Sequence, residues 1–256
     1  MTATAVCELG FLLCGAMPPL CGQTAQPAGE LERVRQVNLE YVSNMPNFVA
    51  DETANRDDSR PGSQEWKHVD TVSTEITFRG RQALRRNVRI NGSPWNGDWL
   101  ALPGARWYGG FGTELAPVFD LRCPTTIEYE GTSNVRGSEL LAFRFRSPAD
   151  ACFPPFTDRN GIQRYNPART GRVLVDGASG HVNHLEEDAS GFPAAWDLKD
   201  RKEQVSWGYV RIGDDSHLLP VAAEFVFLYA SGARQRITVA YSNHRHFEAS
   251  SNLEYH

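Results

Sequence analysis

The stretch TVSTEITFRG, residues 71–80, alternates apolar and polar side chains with a period of two. In an extended chain this spacing places Val72, Ile76 and Phe78 on one side and polar residues on the other. The pattern is typical of a β-strand with one face in a core and one face in water. Gly80 follows directly and permits a reversal of the chain. The stretch therefore predicts the first half of an antiparallel hairpin.

The second half of the hairpin is QALRRNVRING, residues 82–92, in which the alternation continues. We expect Leu84, Val88 and Ile90 on the core face. The opposite face is expected to carry three polar residues: Arg85, Asn87 and Arg89.

Seven later segments repeat this alternation, and Asp-Gly, Ser-Gly and similar turn residues separate them. They are TTIEYEG (125–131), ELLAFRFRS (139–147), GRVLVDG (171–177), HVNHLEED (181–188), QVSWGYVRIG (204–213), VAAEFVFLYASG (221–232) and QRITVAYSN (235–243). In ELLAFRFRS the alternation places Phe143 and Phe145 on the core face. No βαβ unit recurs, so the sequence predicts a mainly β protein with an antiparallel sheet.

One helix precedes the strands. In ELERVRQVNLEYVSNMPN, residues 30–47, the apolar residues fall on one arc of a helix with 3.6 residues per turn. Pro46 ends the pattern, because proline lacks the amide proton and clashes with the preceding turn. A helix of this length is marginal alone, so we expect its apolar stripe to pack against the sheet.

The first 26 residues have the outline of a secretory signal peptide. A short apolar run at residues 9–17 is followed by two prolines and a stretch of small and polar residues. No Lys or Arg precedes Arg33, so a disordered or helical N-terminus is an alternative, and a lipidated Cys14 or Cys21 is another. We expect residues 1–26 to be a signal peptide and the protein to be periplasmic or secreted.

Composition restricts the partners. The 256 residues include 26 basic and 31 acidic ones, which gives a net charge of −5 and no basic block or basic helix, so nucleic acid is not an expected partner. No apolar run reaches the length of a transmembrane span. No linker interrupts residues 27–256, for which we expect a single domain.

Outside the leader, the chain contains two cysteines, Cys123 and Cys152. Two cysteines in an exported protein usually pair, so we predict a disulfide bond between them. Two buried free thiols are the alternative.

The sequence contains few residues that could form a catalytic or metal-binding site. In GRVLVDGASGHVNHLE, residues 171–186, Asp176 and Ser179 fit a hairpin turn, and His181 and His184 are three apart, hence on opposite faces of a strand. A later pair, His244 and His246, shares one face, which the alternation places outward. The sequence contains no nucleophile elbow and no phosphate-binding loop, so we expect neither a catalytic site nor a cofactor nor a metal. Two carboxylates from distant strands would leave no local motif, so a glycosidase stays open.

Two segments depart from the strand pattern. The first, residues 91–120, is rich in glycine and places Trp95, Trp99 and Trp107 close together, which indicates a lid or recognition surface; rings that plug one end of the fold are the alternative. The second, residues 147–171, is too long for a simple hairpin connection.

The order of elements resembles the periplasmic carriers that sort outer-membrane lipoproteins, and it is most similar to uncharacterised secreted bacterial relatives of those carriers. The resemblance rests on the leader, the amphipathic helix, the DDSHLLP stretch at 214–220 and a hairpin of the form Gly-x-Val-x-Val-Asp-x-x-x-Gly-x-Val. That hairpin consists of Gly171, Val173, Val175, Asp176, Gly180 and Val182. The resemblance implies a strongly curved antiparallel sheet, an incomplete half-barrel, with short helices closing its concave face.

The resemblance also implies a function. We expect an exported, non-enzymatic protein that binds a lipid, an acyl chain or a lipidated protein, with a transient envelope-protein partner. The residues expected to contact the ligand are Val72, Ile76, Phe78, Val88, Ile90, Trp95, Trp99, Trp107, Phe143 and Phe145. An envelope structural or interaction module with a self-filled core is one alternative, and a hydrolase is another.

Overall fold

The computed structural model describes residues 28–80, 82–108, 114–135, 137–157 and 163–247. The signal peptide predicted at residues 1–26 lies outside these ranges. Within them, no helix has the length and apolarity needed to cross a bilayer.

The described residues form two α-helices, one 3₁₀ turn and thirteen strands. The helices are α1 (Ala28–Asn44) and α2 (Leu115–Phe119), and the 3₁₀ turn is Trp99–Ala101. The first six strands are β1 (Phe48–Ser59), β2 (Lys67–Arg79), β3 (Gln82–Ile90), β4 (Ser93–Pro94), β5 (Thr126–Val135) and β6 (Ser138–Ser147). The others are β7 (Phe156–Thr157), β8 (Arg164–Tyr165), β9 (Ala168–Asp176), β10 (Val182–Ser190), β11 (Leu198–Ile212), β12 (Asp215–Tyr229) and β13 (Arg234–His246).

Eleven of these strands make one antiparallel sheet in the order β4-β3-β2-β1-β13-β12-β11-β10-β9-β6-β5. The two end strands, β4 and β5, do not pair with each other, so the sheet curves without closing. The short strands β7 and β8 form a separate hairpin. The predicted fold class is confirmed: the protein is mainly β, with an N-terminal helix and a curved, open antiparallel sheet.

Helix α1 packs on the sheet through the apolar stripe that its sequence predicts. Val34 and Val42 are buried in the common core. Between them, the buried Asn38 side chain accepts a hydrogen bond from the Val182 amide at 3.0 Å and donates one to the Gly180 carbonyl at 2.8 Å. These bonds fix the helix against the turn between β9 and β10, and they satisfy backbone groups that would otherwise be buried without partners.

A bulge in β3 corrects one prediction about the opening hairpin. Asn87 has a positive φ of 54°, and β3 has one more residue than β2 across this point. An inserted residue exchanges the two faces of a strand beyond it. Arg85 therefore lies on the core face, whereas Leu84 is 51% exposed on the opposite face. The prediction that Leu84 shares the face of Val88 was wrong.

A second bulge corrects the prediction about the C-terminal histidines. Asn243 has a φ of 51°, and the register between β1 and β13 shifts at this point. His244 and His246 were expected to face outward. The His244 ring instead lies 5.6 Å from the ring of Phe48, a core residue, and burial lowers the pKa of His244.

The predicted disulfide bond is confirmed. Cys123 and Cys152 are bonded, with their Cα atoms 5.5 Å apart. The bond joins the segment that follows α2 to the loop that follows β6, so it connects two of the segments that cover the sheet.

Candidate functional site

The concave face of the sheet is the face against which α1, α2 and the tryptophan-rich segment pack. All ten predicted ligand-contacting residues lie in or against one hydrophobic core on this face. Six are buried: Val72, Ile76, Phe78, Trp107, Phe143 and Phe145. Four are half-buried and pack against the same core: Val88, Ile90, Trp95 and Trp99. The structure thus brings these residues together, and their contact with a ligand stays a prediction.

Residues 95–107, here called the strap, cover the β1–β3 part of the concave face. The Trp107 side chain is 1% exposed, and its Nε1 donates a hydrogen bond to Glu52 Oε1 at 2.9 Å. The Trp99 ring packs edge-on against the Trp107 ring, with centroids 4.9 Å apart. Leu102 of the strap is also buried in the core. The strap therefore places its own apolar side chains on the concave face.

A buried ion pair holds two of the three strap tryptophans, Trp99 and Trp107. Arg85 of β3 donates to both carboxylate oxygens of Glu52 of β1, at 2.6 and 2.8 Å. The Arg85 guanidinium lies 4.5 Å from the Trp99 ring centroid and 5.5 Å from that of Trp107. Burial alone would lower the pKa of Arg85. The interaction with the Glu52 carboxylate outweighs the effect of burial, so the pKa of Arg85 is raised. The Arg85–Glu52 pair is thus a polar support beneath apolar rings.

A second arginine fastens the other end of the strap. Arg56 of β1 pairs with both oxygens of Asp70 on β2, each at 2.6 Å. Its Nη1 also donates to the carbonyls of Pro103 and Ala105. Gly104 between them has a φ of +80°, and a Cβ there would lie 3.0 Å from Arg56 Nη1. Glycine therefore permits both the turn and the close approach of the guanidinium.

The opposite part of the concave face contains a buried charge cluster. Glu187 of β10 and Glu203 of β11 are directly paired across the two strands, and each is 2% exposed. Arg169 donates to Glu187 at 2.8 Å, and Arg201 pairs with Glu203 at 2.6 Å. Burial raises the pKa of Glu203 to about 8; Arg201 opposes this shift, and Glu114 and Glu187 add to it.

The loop after β6 covers this cluster. Arg169 Nη2 donates to the Pro154 carbonyl at 2.8 Å, and the Arg169 guanidinium lies 4.4 Å from the Phe153 ring. The side-chain amide of Asn166 donates hydrogen bonds to the backbone carbonyls of Ala151 and Phe153. The Phe153 ring stacks on that of Phe145 at 6.4 Å. With the disulfide bond, these contacts close this end of the half-barrel.

The sequence reasoning missed both sets of buried charges, although a signal was present. Glu52 alternates in step with Phe48, Ala50 and Ala54 along β1, and Glu203 alternates in step with Val205. A charged residue at a core position of an amphipathic strand is the sign of a buried ion pair.

The polar stretch at residues 176–181 forms the predicted hairpin turn. The Ser179 amide and hydroxyl donate to Asp176 Oδ1 at 2.7 and 2.8 Å, and these bonds lower the pKa of Asp176. His184 Nδ1 lies 3.0 Å from the Ser206 hydroxyl, while the His181 ring packs near that of Tyr41. Across the described ranges, no three His, Cys, Asp or Glu side chains are grouped so that they could hold a metal ion.

A groove of about 420 Å³ lies outside the core, between α1 and the end of α2. Glu32, Leu39, Phe119 and Leu121 are among the residues that line it. The Arg35 side chain crosses the groove and donates to the Phe119 carbonyl at 3.0 Å. This groove is distinct from the concave face.

Comparison with known proteins finds similar solved structures at low sequence identity. No protein-family model matches the sequence, and no curated protein matches it. Similar solved structures include a DUF1329 family protein from Desulfovibrio piger, which is 11% identical and aligns over 87% of this chain and 95% of its own, with a TM-score of 0.38. A LolA superfamily protein from Nitrosomonas europaea is 9% identical over 87% of this chain and 94% of its own, with a TM-score of 0.31.

A third similar structure is described as an outer-membrane lipoprotein-sorting protein domain from Vibrio parahaemolyticus. It is 9% identical over 87% of this chain and 94% of its own, with a TM-score of 0.39. At these identities no side chain of this protein takes a role from these structures.

Proposed function

We propose that this is an exported, non-enzymatic protein that binds an apolar ligand, such as a lipid, an acyl chain or a lipidated protein, against the concave face of its half-barrel. One observation carries the proposal: the strap covers the β1–β3 part of that face with buried apolar side chains, Leu102 and Trp107. When the strap moves away, it leaves an apolar surface that favours an apolar ligand over water.

The way the strap is attached supports a movable cover. Within the strap, Trp95 has an amide that bonds to the sheet, to the Val88 carbonyl at 2.8 Å. Among the described residues, the backbone of residues 96–108 makes only local backbone hydrogen bonds, within the 3₁₀ turn. Contact with the sheet is made by side chains, above all Arg56 and Arg85. A segment held by side chains opens at a lower cost than one held in a ladder of backbone bonds.

The proposed location is the periplasm or the exterior of the cell, with a transient envelope protein as partner. The Cys123–Cys152 bond supports this location, because structural disulfides persist in oxidising compartments.

A second candidate is an interaction module whose core is filled by its own side chains. The observation that favours it is the burial of the concave face: Val72, Ile76, Phe143 and Phe145 have no exposed surface with the strap in place. The two candidates differ in what happens when a ligand is offered, because only the first opens.

Tryptophan fluorescence tests the proposal. Oleate and a diacylated lipopeptide are each titrated into wild-type protein, Trp99→Phe and Trp66→Phe. Trp66 stacks with Arg234 and Arg236 and is not part of the strap, so its variant is the matched control. We expect the emission of the wild type and of the control to shift, and that of Trp99→Phe to shift much less. No shift with either ligand, together with native mass spectra that contain no bound lipid, would favour the interaction module.

A further inference from the structure

The charge of the protein is unevenly distributed. Residues 79–108 contain six arginines and one acidic residue, Asp98, so this segment has a net charge of +5. The whole chain has a net charge of −5, so the remaining residues have a net charge of −10. The arginines are Arg79, Arg81, Arg85, Arg86, Arg89 and Arg106. Arg85 is neutralised by Glu52 in the interior.

Several of these arginines lie at the β3 end of the sheet. Arg86 and Arg89 are exposed on the outer face of β3. Glu75 is opposite Arg86 in the register but pairs with Arg245 at 2.6 Å. Among the described residues, neither the exposed Arg86 nor the half-buried Arg106 forms an ion pair.

Exposed apolar side chains accompany these charges. Leu84, on the same outer face of β3, is 51% exposed, and Leu100 and Tyr108, in and beside the strap, are 63% and 53% exposed. The strap starts directly after β4 at the end of the sheet, where the Trp95 amide bonds to the Val88 carbonyl of β3. We call Leu84, Arg86, Arg89, Leu100, Arg106 and Tyr108 the edge patch.

We infer that the edge patch docks the protein on the surface of an anionic phospholipid bilayer. Arginines beside exposed leucine and tyrosine match such a surface, because the guanidinium groups bind lipid phosphates while the apolar groups enter the interface. The remaining residues have a net charge of −10, so an anionic membrane favours the orientation in which the edge patch faces it. A nucleic acid or an acidic protein would match the arginines but gain less from the exposed leucines.

The edge patch lies next to the start of the strap, which connects membrane docking with ligand uptake. The strap that covers the concave face begins at this edge, so docking places the movable cover next to the lipid. This connection rests on the proposed function, because it assumes that the bilayer is the source of the apolar ligand. Docking itself does not depend on ligand binding, so the two are tested separately.

Vesicle co-sedimentation of the exported chain tests the inference, with vesicles of phosphatidylcholine alone and of equal parts phosphatidylcholine and phosphatidylglycerol. We expect binding only to the anionic vesicles. Each basic residue near an anionic surface contributes about fivefold to binding, so Arg86→Gln/Arg89→Gln weakens it about 25-fold. The control Arg146→Gln/Arg164→Gln removes the same charge from exposed positions outside the patch and changes binding less than about twofold.

Three results would overturn the inference: equal binding to both vesicle types, wild-type binding by Arg86→Gln/Arg89→Gln, or an equal loss in the control. Binding to polyglutamate without binding to anionic vesicles would also overturn it and would indicate an acidic protein partner. Circular dichroism verifies that each variant is folded. In solution without vesicles, Arg86→Gln/Arg89→Gln is expected to show the same change of tryptophan emission with oleate as the wild type. This comparison distinguishes a failure of docking from a failure of ligand binding.

Discussion

The buried pair of Arg85 and Glu52 offers the sharpest test of how the strap is held. The Arg85 side chain is 5% exposed and that of Glu52 is 0% exposed. Replacing Arg85 with Met leaves the Glu52 carboxylate in the interior with Trp107 Nε1 as its remaining hydrogen-bond donor among the bonds described above. Loss of one partner of a buried pair costs about 3–5 kcal/mol, because the other charge stays desolvated.

The expected magnitudes follow from this geometry. We expect Arg85→Met and Glu52→Gln each to lower the free energy of unfolding by about 3–5 kcal/mol. The double variant carries no charge at positions 52 and 85, and its Gln still accepts from Trp107, so we expect it to lose only about 1–2 kcal/mol. The coupling energy between the two residues is then at least about 4 kcal/mol.

Urea unfolding, followed by circular dichroism and tryptophan emission, measures all four proteins of this double-mutant cycle. Lys202 and Asp188 supply the matched control, because they form an exposed pair at 3.3 Å between neighbouring strands. Their coupling energy is expected to stay below about 1 kcal/mol. A value equally small for Arg85 and Glu52 would refute the description of the pair as a buried support for the strap.

Three further predictions concern other parts of the molecule. The pKa of Glu203 is about 8 in the folded protein and about 4.5 in the unfolded chain. The free energy of unfolding should therefore fall as pH rises from about 4.5 to about 8. Urea unfolding of Glu203→Gln should lack this pH-dependent fall. Replacing Cys123 and Cys152 with Ala should lower the free energy of unfolding by about 3–4 kcal/mol, with dithiothreitol destabilising the wild type but not the variant. Gly104→Ala should cost about 1–2 kcal/mol in thermal unfolding and shift the tryptophan emission to longer wavelength, because alanine is strained at a φ of +80° and crowds Arg56; an unchanged spectrum would contradict this role of the glycine.

Local pattern was sufficient for α1 and for nine of the thirteen described strands, but it did not predict β1. The alternation in residues 71–80 reappears in β2, where Val72, Ile76 and Phe78 are all buried. The spacing of apolar residues predicted α1, and Pro46 placed its end within two residues of Asn44. These predictions held because each depends on neighbours within a few residues, whose side-chain directions follow from the backbone geometry of one helix or one strand.

The alternation of apolar and polar residues gave wrong predictions where a bulge exchanges the two faces of a strand. The bulges at Asn87 and Asn243 each reverse the alternation beyond them, which brings Arg85 and His244 to the core face and turns Leu84 outward. A bulge is defined by the register between two strands, so the sequence of one strand does not locate it.

The sequence by itself determined nine of the described strands, the N-terminal helix and the cysteine pair, because periodicity and composition act locally. Only the tertiary structure decided what lies on the concave face. Glu52 and Arg85 are 33 residues apart in sequence, and Glu187 is opposite Glu203 only because β10 and β11 pair in that register. Such charges are stable in the interior solely when the fold brings partners to them, and that depends on the closure of the whole sheet and its covering segments.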